Sequence, residues 1–400
     1  MTLILLLDLD DTLVHTNMEA FIPAYFQKLA THLAPFIPPE TLLKQLILGT
    51  RQMLANDHPQ RTLREVFNDH FYPFLEADHG HLQVVIEEFY DEIFPSLREV
   101  TRPLPGAVEF VEWAFAKGYC VAIATNPLFP RKATYHRLRW AGLSPERYPF
   151  ALVSTYETFH FTKPQPAYYA EVLGRLGWPD GPVLMVGNDV EADLVPAAAL
   201  GLATFHVLDV PSRTTDGFAP TGRGYLADLR SWLEQTDLTM LMPGFSTRNA
   251  LLALLRSTPA VLVGLLDPLP LPAWSRRPVS EGWSAVEVLC HLRDVEREVN
   301  QLRLRRIVAE EEPFFVAEMS DDWTIERRYQ EQDGPAALEE FTTLRLETLH
   351  LLQNLSAEQW MRKARHSLFG PTTLQELVAF NAEHDRLHIR QVWEVAREVG

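Results

Sequence analysis

Two aspartates, Asp8 and Asp10, follow directly on an apolar run, Leu3-Ile4-Leu5-Leu6-Leu7. A short apolar run bounded by charge reads as a buried parallel strand. Residues two apart on extended chain point to the same side. In open α/β sheets chemistry gathers just beyond the carboxyl ends of strands, so both carboxylates are expected to face one crevice. Two carboxylates that close repel by roughly 4 kcal/mol at an effective dielectric of about 20, which a cation or a shared proton would relieve. One could attack phosphorus while the other moves a proton, the layout of covalent phosphoryl transfer.

Three further groups extend this chemistry. Thr125-Asn126 follows Val121-Ala122-Ile123-Ala124, Lys163 opens Lys163-Pro164-Gln165-Pro166, and Gly187-Asn188-Asp189-Val190-Glu191-Ala192-Asp193 follows the apolar stretch 183–186. A phosphate group concentrates negative charge that must be neutralised before a carboxylate can attack it. Lys163 supplies a point charge, Thr125 a hydroxyl, and the backbone near Asn126 further donors. Asp189 and Asp193 add acid to a pocket already holding Asp8 and Asp10. Four carboxylates with one lysine call for a divalent cation, and oxygen donors beside a phosphate substrate point to Mg²⁺. Singly, Thr125 reads as a helix cap, Lys163 as a surface lysine and Asp193 as a first-turn helix acid. Together, each beyond a predicted strand or opening a helix, they read as one site.

A second constellation lies near the end. His384 and His388 stand four apart in Glu383-His384-Asp385-Arg386-Leu387-His388, which stacks two imidazoles on one helix face as a metal needs. It is not the zinc-protease signature, because Asp385 rather than glutamate follows the first histidine. His291 lies two turns into a helix that Ser284 would cap, with Glu287 as its capping-box partner. His350 and His366 lie near loops and are not expected to be ligands. Cys290 adjoins His291 but points about 100° away around the helix, so its expected role is packing.

The elements that must position these groups follow from periodicity. Apolar residues recur at three- and four-residue spacing in 21–33, 42–54, 63–75 and 82–94, so 14–100 reads as helical. Beyond it, helices at 108–117, 131–141, 166–176 and 190–200 alternate with strands at 120–124, 150–154, 183–186 and 204–207. This is an α/β doubly wound parallel sheet, with a helical cap inserted after its first strand. A loop is expected over 211–223 and a last helix over 225–233. Residues 1–236 form this first domain, with core 1–14 and 100–236 and cap 15–99. Residues 237–246 read as a linker. Amphipathic helices over 248–265, 284–311, 335–354 and 373–399 then predict an all-α, up-and-down four-helix bundle spanning 247–400.

The whole chain sets outer bounds. Its 400 residues suit two or three domains, and 46% apolar composition supports well-filled cores. A net charge of −17 argues against a general nucleic-acid binder. Two cysteines, Cys120 and Cys290, imply no disulfide framework and fit a reducing cytoplasm. The first apolar run is too short for a signal peptide, and no segment is expected to approach the roughly 20 apolar residues of a membrane span.

Residues 1–235 resemble the haloacid dehalogenase-like (HAD) hydrolase superfamily. The likeness rests on the motifs opening at Asp8, Thr125, Lys163 and Gly187, in the family's order. The helical insertion is similar to the cap of the phosphoglycolate phosphatase-like branch. The resemblance implies that Asp8 attacks phosphorus and that Asp10 protonates the leaving oxygen and then activates water. Asp8, Asp189 and the backbone carbonyl of Asp10 would hold Mg²⁺, and Asp193 would bind through water or orient Lys163. Thr125, Asn126 and Lys163 would bind the phosphate. Dehalogenating members lack an acid at the position of Asp10, so its presence implies a phosphatase of small phosphorylated metabolites.

Residues 247–400 resemble the DinB-like metal-binding bundles through Trp-Ser-x-x-Glu-Val-Leu-x-His-Leu at 283–292 and His-Asp-x-x-His-Ile-Arg-Gln at 384–391. That implies His291, His384 and His388 as ligands of Zn²⁺, Ni²⁺ or Fe²⁺, with an open fourth position. It leaves two alternatives for the bundle: thiol-dependent transfer or isomerisation, or a non-catalytic module for binding or homodimerisation.

Overall fold

The computed structural model describes residues 2–75, 78–210, 217–278 and 282–399. By contact the chain forms two units, Met1–Tyr169 with Asp180–Gly244 and Ala170–Pro179 with Phe245–Gly400.

In the first unit, all of β1 (Ile4–Leu7) is buried, as expected for an unbroken apolar strand covered on both faces. A tight turn follows. Asp11 takes a left-handed backbone (φ 55°), and its Oδ1 accepts from Thr16 N at 3.0 Å and pairs with His15 Nδ1 at 2.8 Å. Aspartate tolerates that conformation because its short side chain bonds locally. The chain enters β2 (Val14–Thr16), which pairs antiparallel with β3 (Thr101–Pro103) at the root of the inserted helices.

The insertion holds α1 (Met18–Leu33), α2 (Pro39–Ala55), α3 (Leu63–Phe71) and α4 (His79–Glu88), then a π-helical turn at Phe89–Ile93 and a 3-10 segment at Phe94–Val100. Asn17, Thr62 and Asp78 cap α1, α3 and α4 through their side chains. Phe21, Tyr25, Phe89 and Phe94 meet edge-on in the cap. Tyr25 also meets Phe129 of the core, with ring centroids 5.6 Å apart.

The core continues through α5 (Ala107–Ala116), β4 (Cys120–Ile123), α6 (Arg131–Trp140), β5 (Leu152–Val153), α7 (Pro166–Arg175) and β6 (Val183–Gly187). A π-helical turn at Val190–Leu194 leads into α8 (Val195–Leu200), and β7 (Ala203–Val207), β8 (Gly222–Gly224) and α9 (Leu226–Gln235) complete it. The sheet is parallel throughout, in the order β5-β4-β1-β6-β7-β8. Its direction of winding reverses between β1 and β6, so the ligand crevice of a doubly wound fold falls at their carboxyl ends.

Local patterning misses some details. The strand expected over 150–154 is reduced to two residues. β8 overlaps the end of the stretch expected as loop, of which 211–216 lie outside the described residues. Gly222 makes β8 possible, since a Cβ there would stand 2.5 Å from Trp232 Cζ2. Asp237–Ser246, expected as a linker, includes a 3-10 turn capped by Asp237, whose Leu241 is buried in the core of the first unit.

The second unit contains α10 (Arg248–Leu266), a short α11 (Leu271–Trp274), α12 (Ala285–Val295), a π-helical turn at Glu296–Asn300 and α13 (Gln301–Ala309). After β9 (Phe314–Phe315) and α14 (Trp323–Glu326) come α15 (Gly334–Gln353), α16 (Ala357–Trp360), β10 (Lys363–His366), β11 (Gly370–Thr373) and α17 (Leu374–Val399). Ala170–Pro179 packs here through its glycines. A Cβ at Gly174 would lie 2.4 Å from Val261 Cγ2, and one at Gly177 would lie 2.6 Å from Trp393 Cδ2.

Three expectations for this unit are corrected. The bundle is not up-and-down: α10 packs on α17 and α15, and α12 packs on α15 and α17. Of the consecutive long helices, α10 and α12 sit diagonally, as do α15 and α17, while α12 and α15 are neighbours; the long connections allow this. The helix expected over 284–311 is interrupted by the π-turn, and β9, β10 and β11 form a small sheet that helical periodicity cannot register. Finally, α10 is long and apolar enough by length and composition to cross a membrane, yet 67% of that stretch is buried as a core helix.

Candidate active site and candidate metal centre

Lys163 is the hub of the first site. Its Nζ lies 2.7 Å from Asp8 Oδ1 and 2.5 Å from Asp193 Oδ1, and all three side chains are buried. Burial opposes the lysine charge, but Asp193 and Asp8 outweigh it and hold the ammonium well above its usual range. Burial, reinforced by Asp8, raises Asp193 above the ordinary carboxylate range despite Lys163. Asp8 is anchored at the end of β1 by its N–H, which donates to Val186 O at 2.9 Å. Asn126 Oδ1 accepts from Lys163 N at 3.3 Å, so the segment after β4 holds the lysine loop. Thr125 is buried beside it, and its carbonyl accepts from Ser154 Oγ and Tyr168 OH, each at 2.7 Å.

The acidic loop after β6 is organised around Asp189 and Asp193. Asp189 caps the π-turn, its Oδ1 accepting from the N–H groups of Glu191 and Ala192 at 2.9 Å. Asp193 Oδ2 accepts from Asp189 N at 3.1 Å, which ties the two acids together. Gly187 leaves the room: a Cβ there would stand 2.3 Å from Asp193 Oδ2.

Asp10 has partners that the sequence did not indicate: Arg137 Nη2 forms an ion pair with Asp10 Oδ2, and Thr16 Oγ1 donates to Asp10 Oδ1 at 2.9 Å. Separate cations relieve the carboxylate repulsion. Burial pushes the Arg137 guanidinium down to about 10, against the opposing pull of Asp8. Arg137 and Thr16 were not legible as site residues, because neither stands in a motif and both come from elements that fold over Asp10. Beside Lys163, the carboxylates of Asp8, Asp189 and Asp193 leave two negative charges uncompensated, and every donor is oxygen. That set fits a hard divalent cation.

In the second unit, His291 on α12 meets His384 and His388 on α17. His384 Nε2 lies 3.1 Å from both His291 Nε2 and His388 Nε2. His291 and His388 are buried and His384 is half-buried. Burial and the neighbouring imidazoles push His291 down to about 3 and His384 well below the usual range, and burial also lowers His388. The three rings are therefore neutral at pH 7.

Their tautomers are also constrained. His388 Nδ1 donates to Gln391 Oε1 at 2.7 Å, which leaves its Nε2 lone pair facing the other two rings. Nε2 atoms held by Zn–N bonds of about 2.0–2.1 Å in a tetrahedron would sit about 3.3–3.4 Å apart, close to the spacing here. Trp283 lies parallel to His388 with centroids 5.7 Å apart, walling one side. The capping box of Ser284 and Glu287 forms, and Arg277 pairs with Glu287. His350 ends α15, and His366 is buried against Phe369 in β10. Neither belongs to the triad. Cys290 turns to Tyr329 O and Gln332 Oε1.

The first unit is thus a doubly wound α/β domain with an acid–lysine crevice, and the second a helical bundle with three convergent histidines. Residues 3–201 match the family of haloacid dehalogenase-like hydrolases, and residues 254–392 match the DinB superfamily. The chain joins a haloacid dehalogenase-like hydrolase domain to a DinB-superfamily domain. It is 26% identical over 206 residues to a phosphoglycolate phosphatase of Mesorhizobium japonicum, covering 51% of this chain and 82% of that protein. Among solved structures, a HAD phosphatase from Thermococcus onnurineus aligns at 20% identity and a TM-score of 0.38, over 58% of this chain and 98% of that one. The four-helix bundle of YfiT from Bacillus subtilis aligns at 20% identity and a TM-score of 0.36, over 38% and 88%.

Proposed function

We propose that the first domain is a Mg²⁺-dependent phosphatase of small phosphorylated metabolites that works through a phosphorylated Asp8. The observation that carries this reading is the buried Lys163 held between Asp8 and Asp193 at the switch point of the sheet. Asp8 attacks phosphorus and forms a new P–O bond, while the ester P–O bond breaks and its oxygen takes a proton from Asp10. Asp10, now a carboxylate, accepts a proton from water as that water attacks the phosphorus. Inorganic phosphate departs and Asp8 is restored. Lys163, Thr125 and the amides near Asn126 bind the phosphoryl oxygens, and Asp193 orients Lys163. Arg137 and Thr16 hold the Asp10 side chain, which takes up a proton before the first step and pairs with Arg137 as a carboxylate after it. The carboxylates of Asp8 and Asp189 with the carbonyl of Asp10 would hold Mg²⁺, which supplies charge neutralisation for the transferring group. Hydrolysis of a panel of phosphorylated metabolites with Mg²⁺, with Asp8→Asn as control, tests the reading. Equal turnover by the variant would sink it.

The bundle is proposed to bind a transition metal through His291, His384 and His388, with Zn²⁺, Ni²⁺ and Fe²⁺ as candidates. Three Nε2 atoms converging on one point, with the His388 tautomer fixed by Gln391, favour this reading. Metal analysis of the purified chain and of His384→Ala tests it.

A further inference from the structure

Behind the histidines lies a second cluster that the metal reading does not use. Arg345 on α15 is buried, as are Glu296 and Asp385. One arm of its guanidinium, Nη1, meets Asp385 Oδ2, while Nη2 lies 3.1 Å from Asp385 Oδ1 and 3.0 Å from Glu296 Oε2. Nη1 also donates to Leu255 O at 3.2 Å. Other donors reach the same two carboxylates. Thr258 Oγ1 donates to Asp385 Oδ2 at 2.7 Å, Thr348 Oγ1 to Glu296 Oε1 at 2.5 Å, and Asn300 Nδ2 to Glu296 Oε2 at 3.0 Å. All four long segments of the bundle contribute: α10, the π-turn after α12, α15 and α17.

A buried ion triad of this kind is a poor source of stability, because desolvation offsets its attraction and an apolar replacement often does as well. Its connections indicate a different use. Asp385 adjoins His384 and lies three residues before His388, and Glu296 opens the turn that follows the helix of His291. One guanidinium therefore grips both ligand-bearing segments. Rotating a helix by about 10° moves an atom at its side-chain radius of about 5–6 Å by roughly 1 Å. A metal site tolerates only about 0.2 Å in its bond lengths. Apolar packing on one face permits small rotations. A bidentate Arg–carboxylate fork fixes direction as well as distance and restricts them.

We infer that Arg345, with Glu296 and Asp385, is a positioning device that sets the rotation and register of α12 and α17 so that His291, His384 and His388 converge on one metal ion. This rests on the metal reading of the triad. Arg345 acts through the ligands and does not touch the ion.

The test titrates the full chain with Co²⁺ in excess Mg²⁺, which occupies the acidic crevice, and follows the visible bands of four-coordinate Co²⁺ alongside thermal melting. The variant is Arg345→Met with Glu296→Gln and Asp385→Asn, which removes the three charges together and leaves none buried alone. The expected result is a folded chain with an unchanged cooperative melt, Co²⁺ affinity reduced about 10- to 100-fold, and altered bands. The same affinity and spectrum as wild type, with the same melt, would overturn the inference, since the triad would then be structural filler. If the triple variant does not fold, Thr258→Val removes one bond to Asp385 at similar volume. A several-fold loss of Co²⁺ affinity supports the positioning role, and wild-type affinity overturns it. A wild-type chain with no four-coordinate band overturns the metal reading and this inference with it, whereas normal wild-type binding with an unaffected variant removes the positioning role alone.

Discussion

Lys163 Nζ stands 2.7 Å from Asp8 Oδ1 although 155 positions separate the two along the chain. The lysine arrives from the loop before α7 and the aspartate from the end of β1. The lysine stays charged in so buried a place because Asp193 and Asp8 both face it. Replacing Lys163 by Met would leave two carboxylates facing each other. Breaking a buried pair in this way costs about 3–5 kcal/mol. The urea midpoint of Lys163→Met should fall accordingly, and phosphatase activity should drop by at least about a hundredfold. Lys163→Arg should not restore it, because a planar fork does not replace a point charge.

Asp8→Asn separates chemistry from stability. It removes the proposed nucleophile but keeps the shape, and it relieves the repulsion between Asp8 and Asp193. Hydrolysis of phosphate esters should fall by about a thousandfold or more, with the melting temperature unchanged or raised. Quench-flow with a ³²P-labelled ester should show label on the wild-type protein and none on the variant.

Gly187→Ala probes the packing beneath Asp193. The added Cβ would stand 2.3 Å from Asp193 Oδ2, so the carboxylate must move away from Lys163. The expected cost is about 1–3 kcal/mol in unfolding free energy, accompanied by loss of turnover. Full activity in a well-folded Gly187→Ala protein would show that the position of Asp193 is immaterial.

The histidine triad makes the metal-free protein acid-sensitive. In the folded state His291 titrates at about 3, His384 well below its usual range and His388 below it. In the unfolded chain all three titrate near 6.5. Below that value the unfolded state binds more protons, so stability present above pH about 6.5 is lost as pH falls. Each ring that is protonated in the unfolded chain and neutral in the folded one adds a slope of about 1.4 kcal/mol per pH unit. Urea midpoints of chelator-treated protein between pH 7 and 4 would measure it. His384→Ala should flatten the dependence.

Metal should reverse that sensitivity. Zn²⁺ at about one hundred times its dissociation constant should stabilise the chain by about 2.7 kcal/mol. The gain should vanish in His384→Ala and diminish toward acid pH as protons compete for the nitrogens. Differential scanning calorimetry with and without Zn²⁺ would report both.

How much of this was legible beforehand varied with the length scale of the cause. β1, β4 and β6 were recognisable because each is a short apolar run ended by polar residues, and their ends hold Asp8, Thr125 and Asp189. The capping box at Ser284 and the i, i+4 pair of His384 and His388 are equally local and formed as spaced. The break at the π-turn of Glu296–Asn300 was not legible, because apolar spacing runs through it without interruption.

The sequence by itself determined which residues end the strands, which cap the helices, and which motifs and histidines have the spacing for chemistry. These depend on interactions a few residues long. Only the tertiary structure decided that Asp10 belongs to Arg137, that Gly187 yields space to Asp193, that α10 sits diagonal to α12 and α15 to α17, and that Arg345 joins Glu296 to Asp385. Each depends on partners brought together from distant parts of the chain. A buried charge takes whichever counter-charge the packed core places within reach, and no local periodicity specifies that choice.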